Sequence, residues 1–191
     1  TSRLGESLAG NGGDISVSAE TGSIRLTNRF YENRGLSDDF SRQTEILSFS
    51  VADGDFSGDG GNVTLRASDT IQDLEILTLS SSAQSGEIRI YGLDDLDVRN
   101  LNVITSKQVE NERFTDPFSG REFAISVGGE GQSGDVIAIG SHDIRFTDST
   151  LTSSANGIDP AGDFTISSPD WIIVENSSIN GSALSSGQAS S

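Results

Sequence analysis

Apolar residues in this chain come in pairs, most of them one residue apart, and the pairs recur behind the same short phrase. It reads SGEIRI at Ser85–Ile90 and SGDVIAI at Ser133–Ile139, with looser copies GGDISV (Gly12–Val17), GGNVTL (Gly60–Leu65) and AGDFTI (Ala161–Ile166). Alternation of this kind starts a strand with one face buried. The glycine turns the chain, and the acidic or amide residue after it is suited to hydrogen-bonding local backbone. Further pairs come after each copy: Ile24/Leu26, Ile71/Leu74/Ile76 and Leu77/Leu79, Leu96/Val98 and Leu101/Val103, Ile144/Phe146 and Leu151, then Ile172/Val174 and Ile179. In the fourth copy the inward pair is read as Val136/Ile139.

The repeat starts lie near residues 13, 61, 86, 134 and 162, at spacings of 48, 25, 48 and 28 residues. The short spacing holds three brief strands and three turns. The two long ones hold the same material plus insertions at about 29–45 and 107–122. The insertions resemble each other, ENRGLSDDFSRQTEILSFSV (Glu32–Val51) lining up with ENERFTDPFSGREFAISV (Glu110–Val127), which suggests a duplicated unit of 73 residues. Three strands per unit, glycine corners and stacked apolar alternation describe an all-β right-handed parallel β-helix, a β-solenoid with two inserted loops or hairpins. The insertions would then leave the same side, two turns apart. An antiparallel sandwich also has short alternating strands, but gives no reason for the recurring register. Residues 1–191 read as one β-helix module and as part of a longer chain.

Composition narrows the class. Hydrophobic residues make up 33% and glycine supplies 22 positions, close to a globular composition. The apolar residues form no run of the roughly 20 that a membrane helix needs. A net charge of −17 argues against nucleic acid as a partner. The absence of cysteine removes disulfides and thiol chemistry.

GNGGDISVSAETGSIRL, SGDGGNVTLRASDTI, SGEIRIYGLDDLDVRNLNV and SGDVIAIGSHDIRFTDSTLTS resemble the haemagglutinin-type repeats of bacterial two-partner-secretion exoproteins, the filamentous-haemagglutinin-like family. That resemblance spans roughly residues 10–181 apart from the insertions. It implies an outer-membrane secretion partner, a secreted chain at the bacterial cell surface or in extracellular matrix, and a role in adhesion or biofilm. It carries over no catalytic residues.

Four groups of residues invite a chemical reading. In DGDFSGDGGN, Asp53, Asp55, Ser57 and Asp59 fit the alternate spacing of a calcium loop with Gly58 at its sharp turn; the plainer account is a glycine-rich corner carrying solvated acids. Asp94, Asp95 and Asp97, with the single histidine His142, offer carboxylates for a polysaccharide hydrolase or lyase, although they come from different turns. The insertions gather Phe30, Tyr31, Arg34, Phe40, Arg42, Arg113, Phe114, Phe118 and Arg121, the residue types that binding surfaces favour; the same aromatics would serve to pin the loops. Trp171 is read as covering a corner of the last turn. The expected function is a non-catalytic secreted surface protein, the shaft of an adhesin or matrix fibre, requiring no cofactor, with a cell-surface glycan or protein as receptor. The rivals are a β-helix enzyme acting on polysaccharide and a filament or surface-layer subunit joined end to end.

Overall fold

The computed structural model describes residues 11–25, 44–50, 59–80, 84–105, 109–115, 122–127, 132–155 and 160–183. Among them the chain is all-β, with parallel strands in two sheets and no helix. Sheet A is built from β1 (Ile15–Ala19), β4 (Val63–Ala67), β6 (Ile88–Gly92), β10 (Val136–Gly140) and β13 (Phe164–Ser167), hydrogen-bonded in that order. Sheet B holds β2 (Ile24–Arg25), β3 (Thr44–Ser50), β5 (Thr70–Ser80), β7 (Leu96–Thr105), β11 (Ile144–Thr147), β12 (Thr150–Ala155), β14 (Ile172–Glu175) and β15 (Ser178–Ala183). Each pass of the chain therefore lays one strand in sheet A and then one long or two short strands in sheet B. Five such levels stack in chain order, an arrangement consistent with a β-solenoid. A separate antiparallel pair, β8 (Val109–Thr115) and β9 (Glu122–Val127), starts within the second insertion and runs past its expected end near residue 122.

Register makes the interior a set of columns. In sheet A, Ile15, Val63, Ile88, Val136 and Phe164 form one column, and Val17, Leu65, Ile90, Ala138 and Ile166 the next. In sheet B the columns are Ile24, Ile71, Val98, Phe146, Val174 and Ile46, Ile76, Val103, Leu151, Ile179. The three middle levels are fully buried here, whereas Ile172, Val174 and Ile179 of the last level are 40–47% exposed. Ile15 and Val17 of the first level are half-buried, but Ile24 and Ile46 are buried. The two ends of the described stack are thus not alike.

The five repeat glycines occupy a single column, and the reason is space. A Cβ on Gly61, Gly86, Gly134 or Gly162 would lie 2.5–2.6 Å from the carbonyl carbon of the glycine one level earlier. Beside this column runs a line of buried hydroxyls, Ser48, Thr78, Thr105 and Ser153, in mutual register. Ser48 Oγ donates to Gly13 O at 3.0 Å and Thr78 Oγ1 to Gly86 O at 2.7 Å. Ser153 Oγ lies 2.8 Å from Ser133 Oγ, and both accept the Gly162 N–H. Thr105 Oγ1 is buried with no partner among the described residues.

Three of the five acidic or amide residues that follow these glycines work between levels, not locally as expected, while Glu87 pairs with Arg89. Asp14 Oδ1 accepts the Asn62 N–H (2.8 Å), Asn62 Oδ1 the Glu87 N–H (2.9 Å), and Asp135 Oδ1 the Asp163 N–H (2.9 Å). These bonds add to the ladder and fix one corner to the next.

Three other expectations change. The predicted three strands per unit are present in the first, fourth and fifth levels, whereas in the second and third the last two run on as one bent strand; the bend is a column of left-handed residues, Asp73, Asn100, Asp148 and Asn176, with φ of 47–56°. Asx side chains tolerate this conformation and bond across it, as Asn100 Nδ2 does to Asp73 Oδ1 at 3.2 Å. Because two successive residues face outward at the bend, the alternation shifts, so that Thr78 is buried and Leu77 is not. In the fourth level the inward pair is Val136 and Ala138, and Ile139 points out. Finally, the described residues that flank the two insertions lie at different points of a level. The first interrupts sheet B at the bend, since Arg25 pairs with Gln72 and Thr44 with Leu74. The second lies between β7 and β10. The matched segments also differ in role: Ile46 sits in a parallel core strand, Ile125 in the antiparallel pair.

Candidate functional site

The acidic corner near β7 is a stack of outward turn residues, so its side chains meet between levels. His142 Nδ1 lies 3.3 Å from Asp170 Oδ2, and its Nε2 is 4.0 Å from Asp94 Oδ1. All three side chains are more than half exposed. The structure thereby brings together two groups that the sequence leaves in separate turns. Asp95 and Asp97 go elsewhere. Asp95 Oδ1 accepts the Asp143 N–H at 3.3 Å, and Asp143 Oδ1 accepts the Trp171 N–H at 3.0 Å. Asp97 is held by Arg99 through two hydrogen bonds, and this bonding raises the Arg99 guanidinium above its ordinary value. Its other oxygen is buried without a partner among the described residues. Each of these carboxylates therefore has a structural use, in a ladder or an ion pair. Trp171 does not cover the corner; it is 71% exposed, because its position in the column is an outward one.

Asp53, Asp55 and Ser57 lie outside the described residues. Asp59 is described, and its Oδ1 accepts the Gln84 N–H at 3.3 Å while its own N–H donates to Asn11 Oδ1 at 3.1 Å. That is the same ladder use of an acid seen at Asp14 and Asp135. Among the described residues no group of three or more His, Cys, Asp or Glu is placed to hold a metal ion. Of the loop candidates, Phe30, Tyr31, Arg34, Phe40, Arg42, Phe118 and Arg121 also lie outside the described residues. Arg113 and Phe114 fall on β8, opposite Ala124 and Phe123 of β9.

A surface that motif reading passes over is the outward side of sheet A. Strand alternation sends the residues between the buried ones to this face. At the two outermost levels they are small hydroxyls, Ser16 and Ser18, then Thr165 and Ser167. The middle levels differ. One column runs Arg66, Tyr91, Ile139, and the adjacent one Thr64, Arg89, Ile137. The Arg66 guanidinium sits over the Tyr91 ring, 6.0 Å from its centroid, a favourable cation–π arrangement. Arg89 is paired with Glu87, whose hydrogen bond raises its pKa. Arg25, Arg99 and Arg145 have carboxylate partners as well, in Asp73, Asp97 and Glu175. Among the described residues Arg66 has no such carboxylate. Ile139 is 39% exposed. The signal is present in the sequence as Arg, Tyr and Ile at the outward positions of three strands. It becomes visible only once register aligns them.

Comparison with family models, with curated proteins and with solved structures finds no match to this chain.

Proposed function

We propose that the chain is a segment of right-handed parallel β-helix serving as a non-catalytic shaft in a secreted bacterial surface protein, an adhesin or matrix fibre. One observation carries the reading: the levels repeat one another in register, with the same contacts recurring at most of them. Glycine packs on glycine, an Asx oxygen takes the next level's N–H, and the apolar columns run through. Such a module gains length by repetition and presents long faces to its surroundings. The carboxylates that would serve a hydrolase support the same reading, since Asp95 and Asp97 are engaged in structural bonds. An outer-membrane secretion partner belongs to this proposal through the repeat resemblance. End-to-end stacking of copies is the second reading, favoured by the open apolar residues Ile172, Val174 and Ile179. Against it, Ile24 and Ile46 at the opposite end are already buried.

The test is location. Antibody against the purified chain should stain intact, unpermeabilised source cells, and protease added outside should remove the signal. Confinement to the cell interior would overturn the proposal. So would release of reducing ends or unsaturated products from a glycan that Asp95→Asn abolishes.

A further inference from the structure

We propose that the outward face of sheet A, centred on Arg66, Tyr91 and Ile139, binds a carboxylate-bearing glycan chain. The inference deepens the adhesin reading and rests on it for the setting in which such a glycan is met.

The face has the chemistry. Arg66 is an exposed guanidinium without a carboxylate of its own among the described residues, in a chain whose net charge is −17. A planar guanidinium recognises a carboxylate through two parallel hydrogen bonds. Directly beneath it, Tyr91 offers a half-buried ring, and one level further Ile139 offers an exposed aliphatic surface. Levels are about 4.8 Å apart, comparable to the length of one pyranose ring. Successive sugars laid along the column would place their apolar C–H faces on Tyr91 and Ile139, with a ring carboxylate turned to Arg66. Arg89 and Ile137 flank this track in the neighbouring column.

The position also says what the occupant is not. β4, β6 and β10 are interior strands of sheet A, each bonded to a neighbour on both sides. An extended peptide that adds itself as a strand needs a free edge, and these three strands offer none. A glycan needs only side-chain contacts. The acids nearest this face are engaged, Glu87 by Arg89 and Glu20 Oε1 by the Ser18 hydroxyl, and at 0.15 M salt charges more than about 8 Å away are largely screened.

The experiment uses the 191-residue chain and two polymers at about 0.15 M salt: polygalacturonate, and the same polymer with its carboxylates methyl-esterified. Affinity is read by titration calorimetry or by retardation in gels containing the polymer. Binding to polygalacturonate is expected, weakened at least about tenfold by esterification and by Arg66→Ala, and weakened comparably by Ile139→Ser. Arg66→Lys should recover only part of the loss. All three substitutions lie on solvent-facing positions, and unchanged thermal unfolding will show that the fold persists. No binding to polygalacturonate overturns the proposal, as does binding that ignores esterification or survives Arg66→Ala. The location test fails independently. A chain inside the cell that still binds the polymer sinks the surface reading alone, and a surface-located chain that ignores it sinks this site alone.

Discussion

The glycine column allows a paired test in which identical substitutions have opposite outcomes. At Gly134 a Cβ would lie 2.6 Å from the Gly86 carbonyl carbon and 2.7 Å from Ser85 O, with Gly86 O closer still. An ordinary contact begins at 3.4 Å and Gly86 O would lie at 2.2 Å, so the two levels must part by about 1.2 Å, roughly a quarter of the 4.8 Å spacing. The obstacle is backbone, which cannot turn aside as a side chain can. Two bonds cross this seam at the point of strain: Gly134 N–H to Ser85 Oγ at 2.6 Å and Ile88 N–H to Asp135 O at 2.9 Å. Overpacking costs about 1–3 kcal/mol, and each weakened bond about 0.5–1.5 kcal/mol. Gly134→Ala should therefore destabilise by about 2–6 kcal/mol. At Gly13 the same Cβ meets nothing within 4 Å, because no described level lies beneath it. Gly13→Ala should fall within about 0.5 kcal/mol of the parent, or stabilise slightly by restricting the unfolded chain. Urea unfolding followed by far-ultraviolet circular dichroism gives both values by linear extrapolation. If the two variants differ by less than about 1 kcal/mol, the glycines are not there for the close approach of levels, and the reasoning is wrong.

Three further outcomes are expected of the columns. Thr105→Val removes a buried hydroxyl that has no partner among the described residues, so it should stabilise by about 1 kcal/mol, whereas Thr78→Val strips Gly86 O of its donor and should cost about 1–2 kcal/mol; equal effects in urea unfolding would contradict the assigned bonding. At the bend, Asn100→Ala should cost about 1–2 kcal/mol and Asn100→Gly much less, because only the former strains a residue at φ 47°; a reversed order in thermal melts would refute the left-handed bend. Asp135→Ala should cost about 1 kcal/mol and raise amide exchange at Asp163 more than at Thr165, and uniform exchange would deny the link between levels.

Much of this architecture is legible in the residues because its constraints are local. A glycine that must touch the glycine of the next level cannot drift, so the five marks at 13, 61, 86, 134 and 162 stay in phase across insertions. The acid or amide beside it is held by the same demand. Features decided across levels do not show. The oxygens of Asp14, Asn62 and Asp135 bond backbone 25–48 residues distant in the chain, and nothing in a GGD or SGD triplet says that the partner is remote. Asp73 and Asn100 look like ordinary polar residues in a strand, yet they turn it and reverse the phase of the residues beyond them. The acidic corner reads as a carboxylate cluster because sequence shows which acids are near one another, and not that Asp95 and Asp97 are already engaged.

The fourth level shows why side-chain direction is the hardest quantity to read, and why the candidate site depends on it. In VIAI, Val136–Ile139, three of the four residues are bulky, and the reading of Val136 with Ile139 as the inward pair follows bulk against the two-residue period of a strand, which allows only Val136 with Ala138 or Ile137 with Ile139. The structure buries Ala138 instead. Interiors pack to a fixed density, so a small residue in one column must be offset by a large one at the same height. The same level buries Phe146, the bulkiest of the fully buried side chains, where other levels place Ile24, Ile71, Val98 and Val174. With Val136 and Ala138 turned inward, both isoleucines of the strand are left on the outward side. Two outward isoleucines have no use in the core. Their place on the surface, Ile139 in line with Tyr91 and Arg66 and Ile137 in the adjacent column, is what a bound partner would account for.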